Sequence, residues 1–131
     1  MTVEFRAKAS NGEIWLYDQI GQSMWGDGIS AKAFQKELSA MGRVTNISVR
    51  INSPGGDVFD GRAIASMIRA HKGPTKAIVD GLAASAASTI AVAAQETVMA
   101  AGSFIMVHNA WAFAMDNAKG LRQMADLLEK I

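Results

Sequence analysis

Apolar and polar positions follow two different periods along this chain. Residues 46–51 alternate apolar and polar side chains, which is the period of a half-buried strand. Four small or apolar residues in the following segment recur instead at the spacing of a helix face: Gly61, Ile64, Ala65 and Ile68. The pattern therefore predicts a strand followed closely by a helix that packs on it.

The same analysis predicts alternating strands and helices along the whole chain. Predicted strands cover 13–20, 46–51, 75–80, 97–100 and 104–108, and the Gly-bearing segment 21–28 reads as a loop. Predicted helices cover 31–41, the residues after Asp57 as far as about 70, 85–95, and a closing amphipathic helix. Ser30 and Asp57 are the expected N-caps, and Gly42 the expected stop, of the first two helices. The closing helix has one apolar face, formed by Leu121, Met124, Ala125, Leu128 and Ile131.

Strands that alternate with helices imply βαβ units and a mostly parallel sheet, so the predicted fold class is α/β. Ligands of such folds bind beyond the carboxyl ends of the strands, where loops lead into helices. Three segments occupy such positions: "NSPGGD" (52–57), "GLAAS" (81–85) and "HNAW" (108–111). Each contains a residue type that is useful in acyl transfer.

Composition narrows the function classes. The 131 residues favour a single domain, 1–131, and the formal net charge of +1 suggests neither a nucleic-acid nor an anionic membrane partner. There is no cysteine and there are only two histidines, so neither a thiolate nor a histidine-rich metal site is expected. Acyl transfer by residues of these three segments needs no metal and no organic cofactor, so none is expected. The uncharged run "GLAASAASTIAVAA" (81–94) is shorter than the ~20 residues of a membrane span. Residues 1–15 lack the basic-then-apolar pattern of a signal peptide. The expected location is the cytoplasm.

Ser85 and His108 are the candidate catalytic pair. At the first turn of a helix, the Ser85 hydroxyl could attack a carbonyl while the Ala86 amide binds the resulting oxyanion, and the Gly56 amide could be a second donor. His108 closes an apolar strand at the expected edge of the sheet and could act as the base. Each motif also has a structural interpretation: an N-cap serine on a tightly packed helix, a glycine turn, and a structural histidine.

Other candidates are weaker. Ser88 is expected to point into the helix packing, and Ser103 belongs to a turn before a strand. His71 lies in the last turn of a predicted helix, where a favourable interaction with the helix dipole is enough to explain its presence. The G-x-S-x-G elbow and both common phosphate-binding glycine motifs are absent.

Taken together, these segments resemble the ClpP peptidase family, and more closely its phage and prophage members. The matching text is "RINSPGGDVFDGRAI" (50–64), "VDGLAASAAS" (79–88) and "IMVHNAW" (105–111), in the same order. By position, Ser85 resembles the family nucleophile, His108 its general base, and Gly56 and Ala86 the two oxyanion-hole amides.

The resemblance also implies a fold, partners and an assembly. The fold is a ClpP/crotonase-like βαβ spiral of right-handed turns, and the partners are peptide or protein substrates. Family members form homo-oligomeric rings, commonly stacked heptamers, and residues 118–131 resemble part of the helix that joins two rings. Trp111 and Phe113 fit such an interface. Phage-type members suggest cleavage of capsid, scaffold or portal proteins, with an AAA+ unfoldase as a further partner.

One departure concerns the third member of the triad. The family places an Asp well downstream of the His, in a C-terminal α/β unit, whereas Asp116 and Asp126 are the only downstream Asp residues here and neither has a matching context. A neighbouring subunit or a longer parent chain would have to supply the acid, and a truncated chain is the favoured explanation. Such a chain is expected to be impaired as an enzyme.

Two other functions stay open. A crotonase-like acyl-CoA enzyme shares the fold and the two-amide oxyanion hole, but Ser85 and His108 disfavour it because those enzymes use carboxylates. A non-catalytic ring or scaffold subunit would explain the missing Asp, whereas retention of Ser85, His108 and "SPGGD" argues against it.

Overall fold

A computed structural model of the protein describes residues 4–8, 10–23 and 26–131, with side chains described for 10–22 and 26–131. The strands are β1 (Glu4–Lys8), β2 (Asn11–Leu16), β3 (Gln22–Ser23), β4 (Gly26–Asp27), β5 (Asn46–Ser53), β6 (Thr75–Ala84), β7 (Glu96–Met99) and β8 (Phe104–Met106). The helices are α1 (Ala31–Ala40), α2 (Val58–Ala70), α3 (Ala86–Ala91) and α4 (Ala118–Leu128).

Within the described residues, six strands form one sheet in the order β1-β2-β5-β6-β7, with β8 also paired to β6. The β1–β2 pair is antiparallel, and every other pair in this sheet is parallel. The long strand β6 pairs with β7 through Lys76–Val79 and with β8 through Leu82–Ala84. The predicted α/β class with a mostly parallel sheet is confirmed.

The core lies where α1, α2 and α3 pack on the sheet. Alternate residues of β2, β5 and β6 are buried, and the predicted α2 stripe from Gly61 to Ile68 is buried against them. The largest fully buried apolar side chains come from these elements and from the segment between β2 and β3: Phe34, Ile14, Leu16, Ile20, Ile51, Ile64, Ile90, Val49 and Val79. This core holds the carboxyl ends of β5 and β6 side by side.

Both predicted N-caps are confirmed. The Ser30 hydroxyl accepts a hydrogen bond from the Ala33 amide at 3.1 Å, and the Asp57 carboxylate accepts one from the Asp60 amide at 2.7 Å. These bonds satisfy amides that the first turn of a helix leaves without a partner. Gly42 follows α1 with φ +65°, as expected of a residue that ends a helix.

Several boundaries were predicted wrongly. The strand predicted over 104–108 ends at Met106, so His108 lies beyond it, and the strand predicted over 46–51 continues to Ser53. The predicted loop 81–84 is strand, because β6 continues past Asp80 to pair with β8, with a register shift against β5 between Ile51 and Ser53. The predicted helix 85–95 is shorter and ends at Ala91. The Ala91 carbonyl accepts a hydrogen bond from the Thr97 hydroxyl at 2.9 Å in place of one from a further helix amide. The predicted strand 13–20 begins at Asn11 and ends at Leu16.

The predicted loop 21–28 contains the short β3–β4 pair, and Met24 and Trp25 lie outside the described residues. Just before it, Ile20 bridges to both Ile29 and Gly56. This bridge attaches the glycine loop after β5 to the rest of the fold. In the described part of the chain, no helix has the length and apolar character needed to cross a membrane.

Candidate active site

Three parallel strands end at one edge of the sheet and bring the candidate residues together. Ser85 directly follows β6, His108 lies two residues beyond β8, and Gly56 lies in the loop between β5 and α2. The His108 Nε2 atom lies 2.8 Å from the Ser85 Oγ atom. The distance is that of a hydrogen bond, in which the hydroxyl donates when Nε2 carries no proton.

Ser85 has an unusual backbone conformation. Its φ of +53° and ψ of −124° make it the only non-glycine residue with positive φ among those the structure describes. Such a conformation costs of the order of 1–3 kcal/mol and persists only where surrounding contacts hold it. Here the Ser85 amide donates to the Met106 carbonyl at 2.8 Å, and the Ser85 carbonyl accepts from the Ser88 amide at 2.9 Å. The turn aims the Ser85 hydroxyl at His108.

The two amides proposed for an oxyanion hole are both unpaired. Within the described residues, neither the Gly56 nor the Ala86 amide donates a hydrogen bond, whereas the Asp57 amide next in the chain donates to the Ile20 carbonyl at 2.9 Å. Gly56 has φ +146°, and a Cβ there would lie 2.1 Å from the Ile20 carbonyl oxygen. Position 56 therefore admits only glycine, and its free amide faces away from the bridge to Ile20.

Sequence reasoning missed the role of Gly55. Its φ is +89°, and a Cβ there would lie 2.4 Å from the Ala84 carbonyl oxygen, 2.8 Å from the Ser85 Cβ and 2.9 Å from the Ala86 nitrogen. The Gly55 amide donates to the buried Ser53 hydroxyl at 3.1 Å. Gly55 thus lets the glycine loop touch the segment that carries Ser85, and only the paired glycines in the sequence hint at this contact.

A cleft of about 700 Å³ adjoins the Ser85–His108 pair. Its walls come from the glycine loop, from Ser85, from the chain around the start of β3 and from the end of β8 with the residues that follow it. The lining residues are Gln19, Gln22, Pro54, Gly55, Gly56, Asp57, Val58, Ser85, Met106, His108, Ala110 and Trp111. Trp111 also forms an edge-to-face contact with Phe113, with ring centroids 5.4 Å apart. The cleft is large enough for several residues of an extended peptide.

No acid completes the pair among the described residues. No carboxylate oxygen of the described side chains lies within 4.0 Å of a His108 ring nitrogen. Asp116 instead accepts from the Asn117 amide, and Asp126 lies on the exposed surface of α4. Glu129 borders a cavity of about 460 Å³ that His108 also lines, without forming an ion pair with it.

The other histidine and the other serines lie in different surroundings. His71 Nε2 lies 2.8 Å from the Thr45 carbonyl oxygen, which ties the end of α2 to the segment before β5. Ser103 has a buried hydroxyl without a hydrogen-bond partner in the described part of the chain. Ser88 is buried, as expected, but its hydroxyl donates to the Ser85 carbonyl.

The fold and the site define a class. At one edge of a mostly parallel sheet, a serine hydroxyl is hydrogen-bonded to an imidazole, and two unpaired amides lie beside the serine. Serine hydrolases use this arrangement for acyl transfer.

Comparison with known families names the group within that class. The sequence model of the family described as Clp protease matches residues 7–131. The chain therefore belongs to the Clp protease family, a family of serine peptidases. A comparison with curated proteins finds no match.

Solved structures agree with this assignment. ClpP1 from Listeria monocytogenes is 26% identical, with a TM-score of 0.68, and the match covers 90% of this chain and 68% of that one. An asparagine-to-aspartate mutant of the same ClpP1 superimposes with a TM-score of 0.73 at 24% identity, which shows the common fold. The match covers 90% of this chain and 64% of the mutant's length, so this chain spans less than two thirds of that relative.

Proposed function

We propose that the protein is a serine endopeptidase in which Ser85 is the nucleophile and His108 the general base. The observation that carries this proposal is the 2.8 Å contact between Ser85 Oγ and His108 Nε2 at the edge of a cleft. The unpaired amides of Gly56 and Ala86 support it, because an oxyanion hole needs two donors that are free before substrate binds.

In the proposed reaction, Ser85 Oγ attacks the carbonyl carbon of a peptide bond while its proton passes to His108 Nε2. The carbonyl oxygen becomes an oxyanion that accepts hydrogen bonds from the Gly56 and Ala86 amides. His108 then returns the proton to the leaving amine as the C–N bond breaks, which leaves an ester on Ser85. Water hydrolyses the ester by the same steps, and Ser85 is regenerated.

The third triad member is proposed to come from residues other than those of this sequence. Either a further segment of the same polypeptide or a neighbouring subunit would supply an acid to His108 Nδ1. The cavity that His108 and Glu129 both line offers room beside the imidazole. The proposed assembly is a homo-oligomeric ring, a heptamer or stacked rings, in which residues 118–131 contact another subunit.

The proposed biological role is processing of phage capsid, scaffold or portal proteins in the cytoplasm of the host. Its support is the likeness of residues 50–64, 79–88 and 105–111 to phage and prophage members of the family. An AAA+ unfoldase is a further partner to test. The proposed substrate class is peptides and proteins, and its support is the family and the open cleft.

Labelling with a fluorophosphonate probe tests the nucleophile. The complete natural polypeptide is expected to be labelled and to cleave peptide substrates, and Ser85→Ala is expected to abolish both. Ser103→Ala is the matched control, because it also removes a serine hydroxyl of the described chain and lies outside the cleft. Labelling that persists in Ser85→Ala would rule out this nucleophile.

The same experiment separates the rival functions. A stable ring that is neither labelled nor active would support a non-catalytic scaffold subunit, which the absence of a carboxylate beside His108 among the described residues favours. Thermal stabilisation by an acyl-CoA, without stabilisation by a peptide chloromethyl ketone, would support a crotonase-like enzyme.

A further inference from the structure

Ser88 makes a contact that the packing of its helix does not require. Its side chain is buried, and its Oγ donates to the Ser85 carbonyl oxygen at 2.6 Å. The Ser88 backbone amide already donates to the same oxygen at 2.9 Å, so the carbonyl would have a partner without the hydroxyl. The neighbours of Ser88 inside the short helix α3 are mostly alanines, and alanine has the higher helix propensity.

The Ser85 carbonyl and the Ala86 amide belong to one peptide group. Because a trans peptide is planar, its C=O and N–H bonds point in opposite directions and rotate together. Two hydrogen bonds from Ser88 hold the carbonyl towards the helix, and they therefore hold the Ala86 N–H towards the opposite side. This N–H is one of the two unpaired amides beside Ser85.

The peptide on the other side of Ser85 is also held, because the Ser85 amide donates to the Met106 carbonyl of the segment that leads to His108. Without the Ser88 hydroxyl, the peptide that follows Ser85 would lose the shorter of its two anchors. Because Ser85 has a strained backbone with φ of +53°, rotation of that peptide would relieve strain, and the anchors are what oppose the rotation.

We propose that Ser88 is a positioning residue that orients the Ala86 amide as an oxyanion donor through the Ser85 carbonyl. This inference rests on the proposed peptidase function. In this role Ser88 acts on the peptide between Ser85 and Ala86, through its two hydrogen bonds to the Ser85 carbonyl.

Kinetics of Ser88→Ala test the inference. The oxyanion forms after substrate binding, so kcat is expected to fall at least tenfold while KM changes less than twofold. A peptide boronate, whose tetrahedral adduct with Ser85 places an oxygen in the oxyanion hole, is expected to bind more weakly by the same factor. The pH profile of kcat/KM is expected to keep its position, because the contact to His108 is unchanged.

Two variants serve as comparison. Ser88→Thr keeps the hydroxyl and is expected to retain most of kcat, and Ser103→Ala removes a buried hydroxyl that has no partner among the described residues and is expected to behave as the wild type. If Ser88→Ala does not fold, Ser88→Cys keeps the size of the side chain with a much weaker donor and is expected to show the same loss of kcat.

The outcomes separate this inference from the proposed function. Wild-type kcat and boronate affinity in a folded Ser88→Ala or Ser88→Cys would overturn the positioning role and leave the peptidase proposal standing. A fall in activity that matches only a fall in the folded fraction, measured by circular dichroism, would likewise overturn it. A wild-type protein that no fluorophosphonate labels would refute the peptidase function and the inference with it.

Discussion

At the scale of single residues, the site depends on the absence of side chains. Gly55 lies directly against the backbone from Ala84 to Ala86, and a Cβ on Gly61 of α2 would lie only 3.0 Å from the Ala86 Cβ. The small residues after β6 allow both approaches, which explains why the segment around Ser85 is so rich in alanine. Any added atom here presses on the strained turn that aims the hydroxyl.

Gly55→Ala is therefore expected to abolish measurable peptidase activity and to lower the free energy of unfolding by more than the roughly 1–2 kcal/mol of a left-handed alanine alone. The reason is the collision of the new methyl group with the Ala84 carbonyl oxygen and the Ala86 nitrogen. Peptide hydrolysis and thermal denaturation measure the two effects.

Gly102→Ala is the control for Gly55→Ala. Gly102 has a similar φ of +79°, but a Cβ there would meet no atom within 4 Å. It is expected to show the backbone strain without loss of activity. Equal effects at positions 55 and 102 would show that strain, and not contact with the Ser85 segment, governs Gly55.

At the scale of elements, a polar cluster joins three neighbouring parts of the sheet on the side away from the helices. Asp80 of β6 accepts hydrogen bonds from Arg50 Nε at 2.8 Å and from the Tyr17 hydroxyl at 2.6 Å. Arg50 also lies over the Trp15 ring and 3.9 Å from Glu13. The cluster ties β2, β5 and β6 together near the strand ends that carry the site.

Partial burial acts to raise the pKa of the Asp80 carboxyl, but the hydrogen bonds from Arg50 and Tyr17 outweigh burial and hold the pKa below its usual value. The pKa of Tyr17 is raised, mainly by burial and to a smaller extent by the hydrogen bond to Asp80. Both shifts favour the ionised carboxylate with a neutral phenol, which is the state in which the cluster is fully bonded.

Asp80→Asn is expected to lower the free energy of unfolding by about 1–2 kcal/mol at pH 7. Because the pKa of Asp80 is lower in the folded protein, the difference from wild type is fully present above the unfolded-state pKa of about 3.9 and shrinks as pH falls through the folded-state pKa. Urea unfolding at several pH values measures it.

Glu96→Gln provides the comparison for Asp80→Asn. Glu96 forms an ion pair with Lys76 on the same sheet, but both side chains are largely exposed. Its loss is expected to change the free energy of unfolding by less than about 0.5 kcal/mol. A pH-independent difference between wild type and Asp80→Asn would contradict the role given to the Asp80 charge.

At the scale of the whole molecule, the described chain leaves a large apolar surface uncovered. No residue of α4 is fully buried. Exposed large apolar residues come from β8, from the segment after it and from α4: Phe104, Val107, Trp111, Phe113, Met115, Leu121 and Leu127. Exposed large apolar residues in such number favour an interaction site. The proposed ring assembly would cover it with another subunit.

Leu121→Lys on the apolar face of α4 is accordingly expected to shift the protein to a smaller assembly, since a charge would be buried at the subunit contact. Sedimentation velocity measures the mass. Gln123→Lys introduces the same side chain about 200° around the helix and is expected to leave the mass unchanged. Identical sedimentation of wild type and both variants would show that this face of α4 makes no subunit contact.

The sequence by itself determined the features that local chemistry specifies. The caps at Ser30 and Asp57 follow from hydrogen bonding to first-turn amides, and the buried face of α2 follows from its spacing. The alternation of strands and helices was enough to place residues 56, 85 and 108 at one edge of a parallel sheet.

Only the tertiary structure decided how those residues meet. The extension of β6 to Ala84 depends on pairing with β8, and the positive φ of Ser85 depends on the Met106 carbonyl and on Ser88. The contact of Gly55 with the same segment likewise joins residues far apart along the chain, and the paired glycines do not say which segment they meet. The physical reason is that strand register and strained turns are set by partners far away along the chain, whereas caps and amphipathic faces are set by residues within a few positions of one another.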